Sequence, residues 1–348
     1  MDQWFRENLA CPRDQKGLEF DEKYLICPDG HKYPVVDGIP VMLRDDVDQT
    51  LWVAEASLKS ANRNGGAIDD DEIPFAETLG IDPEEREQLK KLPKSDVDPV
   101  VQMSIAKTCG NLYAPLVGNL KTYPIPELRL PDSNGELFLD IGCNWGRWLI
   151  AAARKGYDVV GIDPSLGAVM TARRVFNQLG LKGRFVVADG RYLPFSSAIF
   201  DVVFSYSVLQ HIDKELSELA INEVARVMKP RATSLIQLPN VYGIRCLYNN
   251  ARRGFRKAIG FGEIRYWTLA EMRKTFSDII GENSLSVDGY FGLGIQKSDL
   301  EILPPRFKMV VRCSEALRRL SRHAGWMTHF ADSVYVKATR RASVTDKP

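Results

Sequence analysis

The sequence has no long apolar run, and it has few cysteines and few histidines. Its 348 residues include six cysteines, scattered at positions 11, 27, 109, 143, 246 and 313, and four histidines. Scattered cysteines in a chain of this size favour reduced thiols over a disulfide framework. No stretch reaches the roughly 18 apolar residues of a membrane span, and the first residues lack a basic region followed by an apolar run. We therefore expect a cytoplasmic protein without a transmembrane segment.

A large net charge is also missing, but the balance hides an uneven distribution. The formal net charge is +1, whereas residues 1–108 carry −10, residues 109–240 carry +2 and residues 241–348 carry +9. A basic last third beside an acidic first third can pair within the fold. It can also face an acidic substrate, RNA or an anionic lipid surface.

A glycine-bearing turn after an apolar stretch is the most informative motif. Asp140, Gly142, Asn144 and Gly146 lie between the apolar residues 137–141 and an Ala-rich helical stretch. A strand, turn and helix in this order bring bare backbone and a helix N-terminus to a ligand, and free turn amides there favour an anionic group. Asn144 tolerates positive φ better than most residues other than glycine. The alternative is an ordinary strand-to-helix connection.

Two further acids end the next predicted strands. Asp163 follows a strand at 158–162 and lies 21 positions after Gly142, a spacing suited to accepting hydrogen bonds from ribose hydroxyls. Asp189, followed by Gly190, ends a strand at 184–188, where a carboxylate can reach an adenine amino group. The competing interpretations are a helix N-cap for Asp163 and a simple Asp-Gly turn for Asp189.

The chain then continues the alternation of strands and helices that builds a parallel, doubly wound sheet. The predicted elements are a strand at 201–206, a helix at 214–228 and a strand at 234–237. Residues 137–240 resemble the core of class I S-adenosylmethionine-dependent methyltransferases, in the branch of the ubiquinone and menaquinone enzymes. The resemblance rests on several motifs in the family's order: 139–143, 161–165, 188–195, 200–204, 208–212 and 223–230.

This resemblance implies an α/β fold with a doubly wound, seven-stranded, Rossmann-like core, closed by an antiparallel hairpin at 285–292 and 333–338. It implies S-adenosylmethionine as the cofactor. The predicted cofactor-binding residues are Asp140, Gly142, Asn144, Gly146, Asp163, Asp189, Gly190 and Ser205.

The N-terminal segment 8–44 resembles a small zinc-ribbon-like family, some members of which activate tRNA, rRNA and release-factor methyltransferases. A structural zinc site of that type needs two C-x₂-C pairs, but the second place of each pair is Asp14 and Gly30. Cys11 and Cys27 remain, with His31 and Asp14 as substitutes. We expect a small β module that holds no metal, with zinc as the alternative.

These features divide the chain into three parts. Residues 1–48 form the β module, residues 49–95 a polar linker, and residues 96–340 the methyltransferase domain. Within this domain we expect a helical lid at 96–131, with plain packing helices as the alternative, and an insertion at 241–284 on the side of the methyl acceptor.

The residues that meet the acceptor are harder to predict. Arg245 and Arg265, with Tyr266, lie in the insertion and can bind a carboxylate or phosphate. His211, with Tyr206 just before it, is the candidate general base for a hydroxyl acceptor. The alternative for His211 is a structural hydrogen bond to the backbone.

Three functions remain open from the sequence. The first is O-methylation of a small acidic, sugar or isoprenoid-type metabolite. The second is RNA methylation by an enzyme fused to an activator-like module, although no RNA-binding motif is recognisable. The third is a catalytically silent methyltransferase-like scaffold that binds a partner.

Overall fold

The computed structural model describes residues 2–342 apart from residues 22, 50, 64–72, 74, 93–94, 109–112, 259–262 and 295. The helices are α1 Gln3–Asn8, α2 Trp52–Arg63, α3 Pro83–Lys90, α4 Pro99–Thr108, α5 Arg147–Arg154, α6 Leu166–Gln178, α7 Lys214–Val227, α8 Ile244–Arg252, α9 Leu269–Ile279 and α10 Pro305–Ser321. The strands are β1 Glu19–Asp21, β2 Tyr24–Ile26, β3 Lys32–Val36, β4 Ile39–Pro40, β5 Leu137–Ile141, β6 Asp158–Asp163, β7 Arg184–Val187, β8 Phe200–Ser205, β9 Met228–Pro239, β10 Asn283–Gly289 and β11 Ser333–Thr339.

The central sheet has seven strands in the order β10-β11-β9-β8-β5-β6-β7. Strands β5 to β9 are parallel, and β11 and β10 close the sheet as an antiparallel hairpin. The strands are apolar along most of their length because helices cover both faces of the sheet. The prediction of a doubly wound, seven-stranded Rossmann-like core with a closing hairpin is confirmed. The carboxyl ends of β5 to β9 share one edge with the end of β10 and the start of β11.

Strand β9 is longer than the sequence indicated. The segment Lys229-Pro230 suggested a break, and a strand was expected only at 234–237. The strand in fact begins at Met228, and its pairing with β8 shifts register between Phe200 and Val202. A proline is tolerated beside such an irregularity because the ladder there does not require its missing N–H.

The predicted N-terminal β module is present as a four-stranded antiparallel sheet. It is joined to the edge of the central sheet, since the amide of Met42 donates to the carbonyl of Val187 at the end of β7 (2.7 Å). A second bond runs from the amide of Ala10 to the carbonyl of Pro194 (3.0 Å). The module thus covers the otherwise open β7 edge.

The segment expected to be a polar linker, 49–95, differs from that expectation. It contains α2, α3 and a 3-10 turn at Ala76–Leu79, and its few apolar side chains are spaced so that they bury together. Polar groups also contribute: the amide of Leu166 donates to the Ser57 hydroxyl (3.0 Å), and the amide of Gly167 donates to the Thr78 hydroxyl (2.8 Å). The segment therefore holds the N-terminus of α6. Part of it, residues 64–72, lies outside the described residues.

The basic C-terminal helix α10 buries Val311 and Ser314 and leaves Leu320 exposed. Val310 and Leu317 are partly buried against the core. Among the residues described, none of the helices combines the length and the apolar character that crossing a bilayer needs.

Candidate functional site

The turn after β5 has the backbone that its glycines and asparagine indicated. Gly142, Asn144 and Gly146 all have positive φ, at 78°, 47° and 88°. A Cβ at Gly142 would lie 2.3 Å from Cγ2 of Val208, so only glycine fits against the loop that follows β8. Gly146 is the N-cap of α5, and this helix N-terminus has no side-chain cap.

The amides of this turn are not free, and here the sequence-based expectation is wrong. The amides of Gly142 and Cys143 both donate to the carbonyl of Ile162 (2.8 and 2.9 Å). The following three amides, 144 to 146, donate to Asp163, to the Asn144 side chain and to the Cys143 carbonyl. The turn is compact because it bonds to β6 and to itself, which leaves the uncapped start of α5 as the source of partial positive charge.

Asp140 is a buried carboxylate with an unsatisfied oxygen. It is 1% exposed, and in the part of the chain that the structure describes its Oδ2 has no hydrogen-bond partner. Burial raises the pKa of Asp140 well above its usual range, and the negative charge of Asp163 adds to that rise. A buried carboxylate of this kind is costly unless a donor or cation reaches it.

Asp163 lies beside it at the end of β6. Its Oδ2 accepts from the amide of Asn144 (3.0 Å), and its Oδ1 accepts from the amide of Ser165 (2.9 Å). Burial raises its pKa to about 6, against the lowering effect of these two bonds. Ser165, not Asp163, is the N-cap of α6. The competing interpretation of Asp163 as a helix cap is therefore wrong, and each of its oxygens keeps a lone pair for another donor.

Asp189 is more fully paired. Its Oδ2 accepts from Nε and Nη2 of Arg191 (3.0 and 2.7 Å), and its Oδ1 accepts from the amide of Arg191 (2.8 Å). One lone pair of Oδ1 remains for a further donor. Gly190 lies against β5, because a Cβ there would come within 2.9 Å of Cγ2 of Ile141.

Ser205, the remaining predicted cofactor residue, is buried. Its hydroxyl donates to the carbonyl of Ile141 (3.0 Å), so it joins the ends of β8 and β5. This contact fixes the end of β5, from which the glycine turn starts.

Tyr206, directly after β8, belongs to a buried polar network that the sequence did not reveal. Its hydroxyl donates to Oδ2 of Asp288 (2.7 Å), which also accepts from the Ser333 hydroxyl (2.7 Å). The Gln296 amide donates to the Tyr206 oxygen (2.9 Å). Burial, together with the charge of Asp288, raises the pKa of Tyr206 well above its usual range, so its hydroxyl stays protonated.

Two arginines pair with buried carboxylates, one within this network and one in a nearby loop. Arg129 lies 3.0 Å from Oδ1 of Asp288, and Arg147 lies 2.7 Å from Oδ1 of Asp299, which is fully buried. The Tyr113 hydroxyl also donates to Asp299. Each pair joins residues more than 150 positions apart, so neither local spacing nor composition could have identified it.

Aromatic rings stand beside this network. The ring of Trp148, on α5, lies 4.6 Å from that of Tyr206 and 5.0 Å from that of Phe204. Tyr335, on β11, lies 5.9 Å from Tyr206. The end of β8 is therefore walled by aromatic rings with a polar network at their edge.

His211 ends the 3-10 turn Leu209–His211 that follows β8. Its Nε2 lies 3.3 Å from the amide nitrogen of Gln210. Burial, and next the charge of Arg265, lower the pKa of His211, so the imidazole is neutral near pH 7. A neutral imidazole is the form that a general base requires.

The three predicted acceptor-binding residues have different surroundings in the structure. Arg265 pairs with Oδ1 of Asp213 (3.0 Å) and donates to the carbonyl of His211 (3.1 Å), so it braces the turn that carries His211. Arg245 is exposed on α8, and Tyr266 is half-buried against the Arg253 guanidinium. The structure does not bring Arg245 into a contact with the other two.

The N-terminal module brings together the two remaining cysteines of the degenerate zinc motif and the two side chains considered as substitutes. Cys11, Asp14, Cys27 and His31 each place one ligand atom within 4.8 Å of the others. His31 lies one position beyond the second place of its pair, and the turn at Gly30, where φ is 85°, brings it close to both cysteines.

Residues 138–231 match the family model described as a methyltransferase domain. The chain is 27% identical to an uncharacterized protein of Methanocaldococcus jannaschii over 213 residues, which are 57% of this chain and 79% of that protein. It is 30% identical to an O-methyltransferase of Aspergillus sclerotiorum over 29% of this chain and 39% of the relative. It is 29% identical to a tRNA U34 carboxymethyltransferase of Desulfotalea psychrophila over 34% of this chain and 37% of the relative. The chain thus spans less than half of the length of these two enzymes.

The residues present fit the cofactor of such a domain. The unsatisfied oxygen of Asp140 suits the ammonium of a methionine moiety, and the uncapped start of α5 suits its carboxylate. Asp163 keeps acceptor capacity for ribose hydroxyls at the end of the neighbouring strand.

Proposed function

We propose that this S-adenosylmethionine-dependent methyltransferase O-methylates a small metabolite, of an acidic, sugar or isoprenoid type, at the edge of the sheet where β8 to β10 end and β11 begins. The observation that carries the proposal is the contrast between an unsatisfied, acidic edge at β5 and β6 and a neutral, aromatic edge at β8. The first suits a cationic donor, and the second suits the uncharged part of the acceptor that carries the hydroxyl group.

The cofactor supplies a methyl group that its own sulfonium activates, so the protein has to position the acceptor and exclude water. Asp140 and Asp163 hold the donor. The rings of Trp148 and Tyr206 pack against the acceptor and limit access of water. His211 takes the proton that a hydroxyl group loses as it is methylated.

The similarity to an O-methyltransferase supports this assignment. Arg265 orients the turn that carries His211, because it donates to the backbone of that turn. Arg245 and Tyr266 would meet an acidic group at the outer end of the acceptor. The stretch 96–131 acts as a lid in this proposal, and Arg129 from this stretch reaches Asp288. A cytoplasmic location stays a prediction.

A second candidate function is RNA methylation. It is favoured by the similarity to a tRNA-modifying enzyme and by the N-terminal module that pairs with the β7 edge. The neutral and aromatic surroundings of Tyr206 favour the small acceptor instead, since phosphate contacts need a basic surface.

The test is untargeted mass spectrometry of cell extracts with and without the gene, with the Asp163→Asn variant as the inactive control. We expect a metabolite that gains the mass of one methylene group only when the active protein is present. Transfer of label from radioactive donor to total RNA, without transfer to small molecules, would favour the second candidate. Binding of the donor without any transfer would leave a silent scaffold.

A further inference from the structure

Four potential metal ligands meet in the N-terminal module, far along the chain from the methyltransferase motifs. Nδ1 of His31 lies 3.4 Å from Sγ of Cys11 and 3.1 Å from Sγ of Cys27. Oδ2 of Asp14 lies 3.3 Å from the same nitrogen and 3.5 Å from Sγ of Cys27. Both cysteines are buried, at 0% and 3% exposure.

These separations match a tetrahedron around one metal ion. With zinc bonds of about 2.3 Å to sulfur and about 2.0–2.2 Å to nitrogen or oxygen, a tetrahedral centre puts sulfur and nitrogen roughly 3.6 Å apart and nitrogen and oxygen roughly 3.4 Å apart. The observed sulfur-to-nitrogen distances, 3.4 and 3.1 Å, and the nitrogen-to-oxygen distance, 3.3 Å, are shorter than these by at most about half an ångström.

Hydrogen bonds alone explain the cluster less well. One ring nitrogen of His31 faces two sulfurs and a carboxylate oxygen at once, although a neutral imidazole nitrogen offers either one lone pair or one N–H. Only one of the three neighbours can be satisfied in this way. A cation at the centre satisfies all four ligand atoms together, because each of them directs a lone pair at it.

Two turns present the ligands. In the first, the amide of Gln15 donates to the carbonyl of Cys11 (2.8 Å), which places Asp14 beside that cysteine. In the second, the amide of Cys27 donates to the carbonyl of His31 (3.0 Å), and Gly30 provides the left-handed corner. The Tyr33 hydroxyl lies 3.2 Å from Sγ of Cys11 and can donate to it when it is a thiolate, as second-layer groups of metal sites do.

From this geometry we infer that Cys11, Asp14, Cys27 and His31 form a structural zinc site. The two thiols lose their protons when the metal binds. Two sulfurs and an imidazole favour zinc over the hard cations calcium and magnesium, and four protein ligands leave no open position for catalysis. The site ties the segment that pairs with the core at Ala10 to the hairpin of β2 and β3. This inference is independent of the methyl acceptor.

The test measures zinc in the full-length protein, purified from zinc-supplemented cells without added chelator. We expect about one zinc ion per chain, and less than about a tenth of that in Cys27→Ala and in His31→Ala. Cys313→Ala is the matched control, because Cys313 is an exposed free thiol outside the cluster, and it should keep the metal.

A second measurement covers the case in which the alanine variants fail to fold. Wild-type protein stripped by a chelator and reloaded with cobalt should show the visible absorption of a tetrahedral site with thiolate ligands. Asp14→Cys should keep the metal and strengthen the sulfur-to-cobalt charge-transfer band, since it adds a third sulfur. Folded wild-type protein that takes up neither zinc nor cobalt, or a Cys11–Cys27 disulfide found by mass spectrometry, would overturn the inference.

Discussion

The acidic side chains in the two halves of the sheet's carboxyl edge have opposite surroundings. In the donor half, at the ends of β5 and β6, Asp140 has an oxygen without a partner among the described residues, and Asp163 accepts from two backbone amides. In the acceptor half, where β8 to β10 end and β11 begins, Asp288 and Asp299 each have an arginine partner. A ligand can therefore supply positive charge to Asp140 and Asp163 in the donor half, whereas arginines already neutralise the two carboxylates of the acceptor half.

In the proposed function, this difference suits one half of the edge to a cationic donor and the other half to the hydroxyl-bearing part of the acceptor. A buried pair adds little net stability but is costly to break, whereas an unpaired carboxylate is a cost that ligand binding relieves. Substitutions in the two halves should consequently have opposite effects on stability and on binding.

The largest effect is expected from breaking a pair in the acceptor half. Arg147→Met leaves the fully buried Asp299 without its cation and should lower the free energy of unfolding by about 3–5 kcal/mol. Urea unfolding measures this loss. Arg154→Met, on the exposed face of the same helix, should change it by less than about 0.5 kcal/mol. Equal losses in the two variants would contradict the role given to the pair.

In the donor half, stability without ligand should depend on the protonation of Asp163. Its pKa is raised from 3.8 to about 6, so the folded protein holds this proton more tightly than the unfolded chain does. The stabilisation is therefore complete below pH 3.8 and is lost as the pH rises through 6, with a total of about 3 kcal/mol. The difference between wild type and Asp163→Asn in unfolding free energy, measured from pH 4 to pH 7, should follow this curve. A flat difference would show that the carboxylate is not buried as described.

Asp189 tests an intermediate case, because Arg191 already occupies most of its acceptor capacity. Asp189→Asn should weaken donor binding only about fivefold, the value of one hydrogen bond of about 1 kcal/mol. Asp201→Asn removes an ion pair with Lys229 at the opposite edge of the sheet and serves as the control. A loss as large as that of Asp163→Asn would mean that Arg191 moves away when the donor binds.

The smallest effect is expected at Tyr206. Tyr206→Phe removes the hydrogen bond to Asp288 and the one from Gln296, and should lower the rate of methyl transfer several-fold, with donor affinity unchanged. Tyr157→Phe loses a comparable bond, to the carbonyl of Pro131, and should leave the rate unchanged. If Tyr206→Phe weakens donor binding instead, the division of the edge into two halves is wrong.

The sequence predicted those features of the fold and the site that depend on local spacing. The parallel strands of the core, the glycine turn and the acids at the ends of β5 to β7 follow from periodicity and turn chemistry, whereas the closing hairpin was implied by the family resemblance. The sequence did not predict the helices and buried contacts within 49–95, because α2 and α3 bury few side chains and these lie far apart in the sequence. The pairs of Arg129 with Asp288 and of Arg147 with Asp299 join distant segments, and only the tertiary fold reveals them. The cluster around His31 depended on one left-handed residue, Gly30.

The central claim is that the acids of the donor half hold S-adenosylmethionine. Calorimetric titration of the full-length protein with S-adenosylmethionine at neutral pH tests it most directly, alongside Asp163→Asn and Asp158→Asn, which replaces an acid at the other end of β6. We predict one site per chain, an affinity reduced roughly a hundredfold in Asp163→Asn, as expected for two charge-assisted hydrogen bonds, and an unchanged affinity in Asp158→Asn. Folded wild-type protein that gives no binding heat and no shift in melting temperature with the donor, or equal affinities in the two variants, would contradict the account.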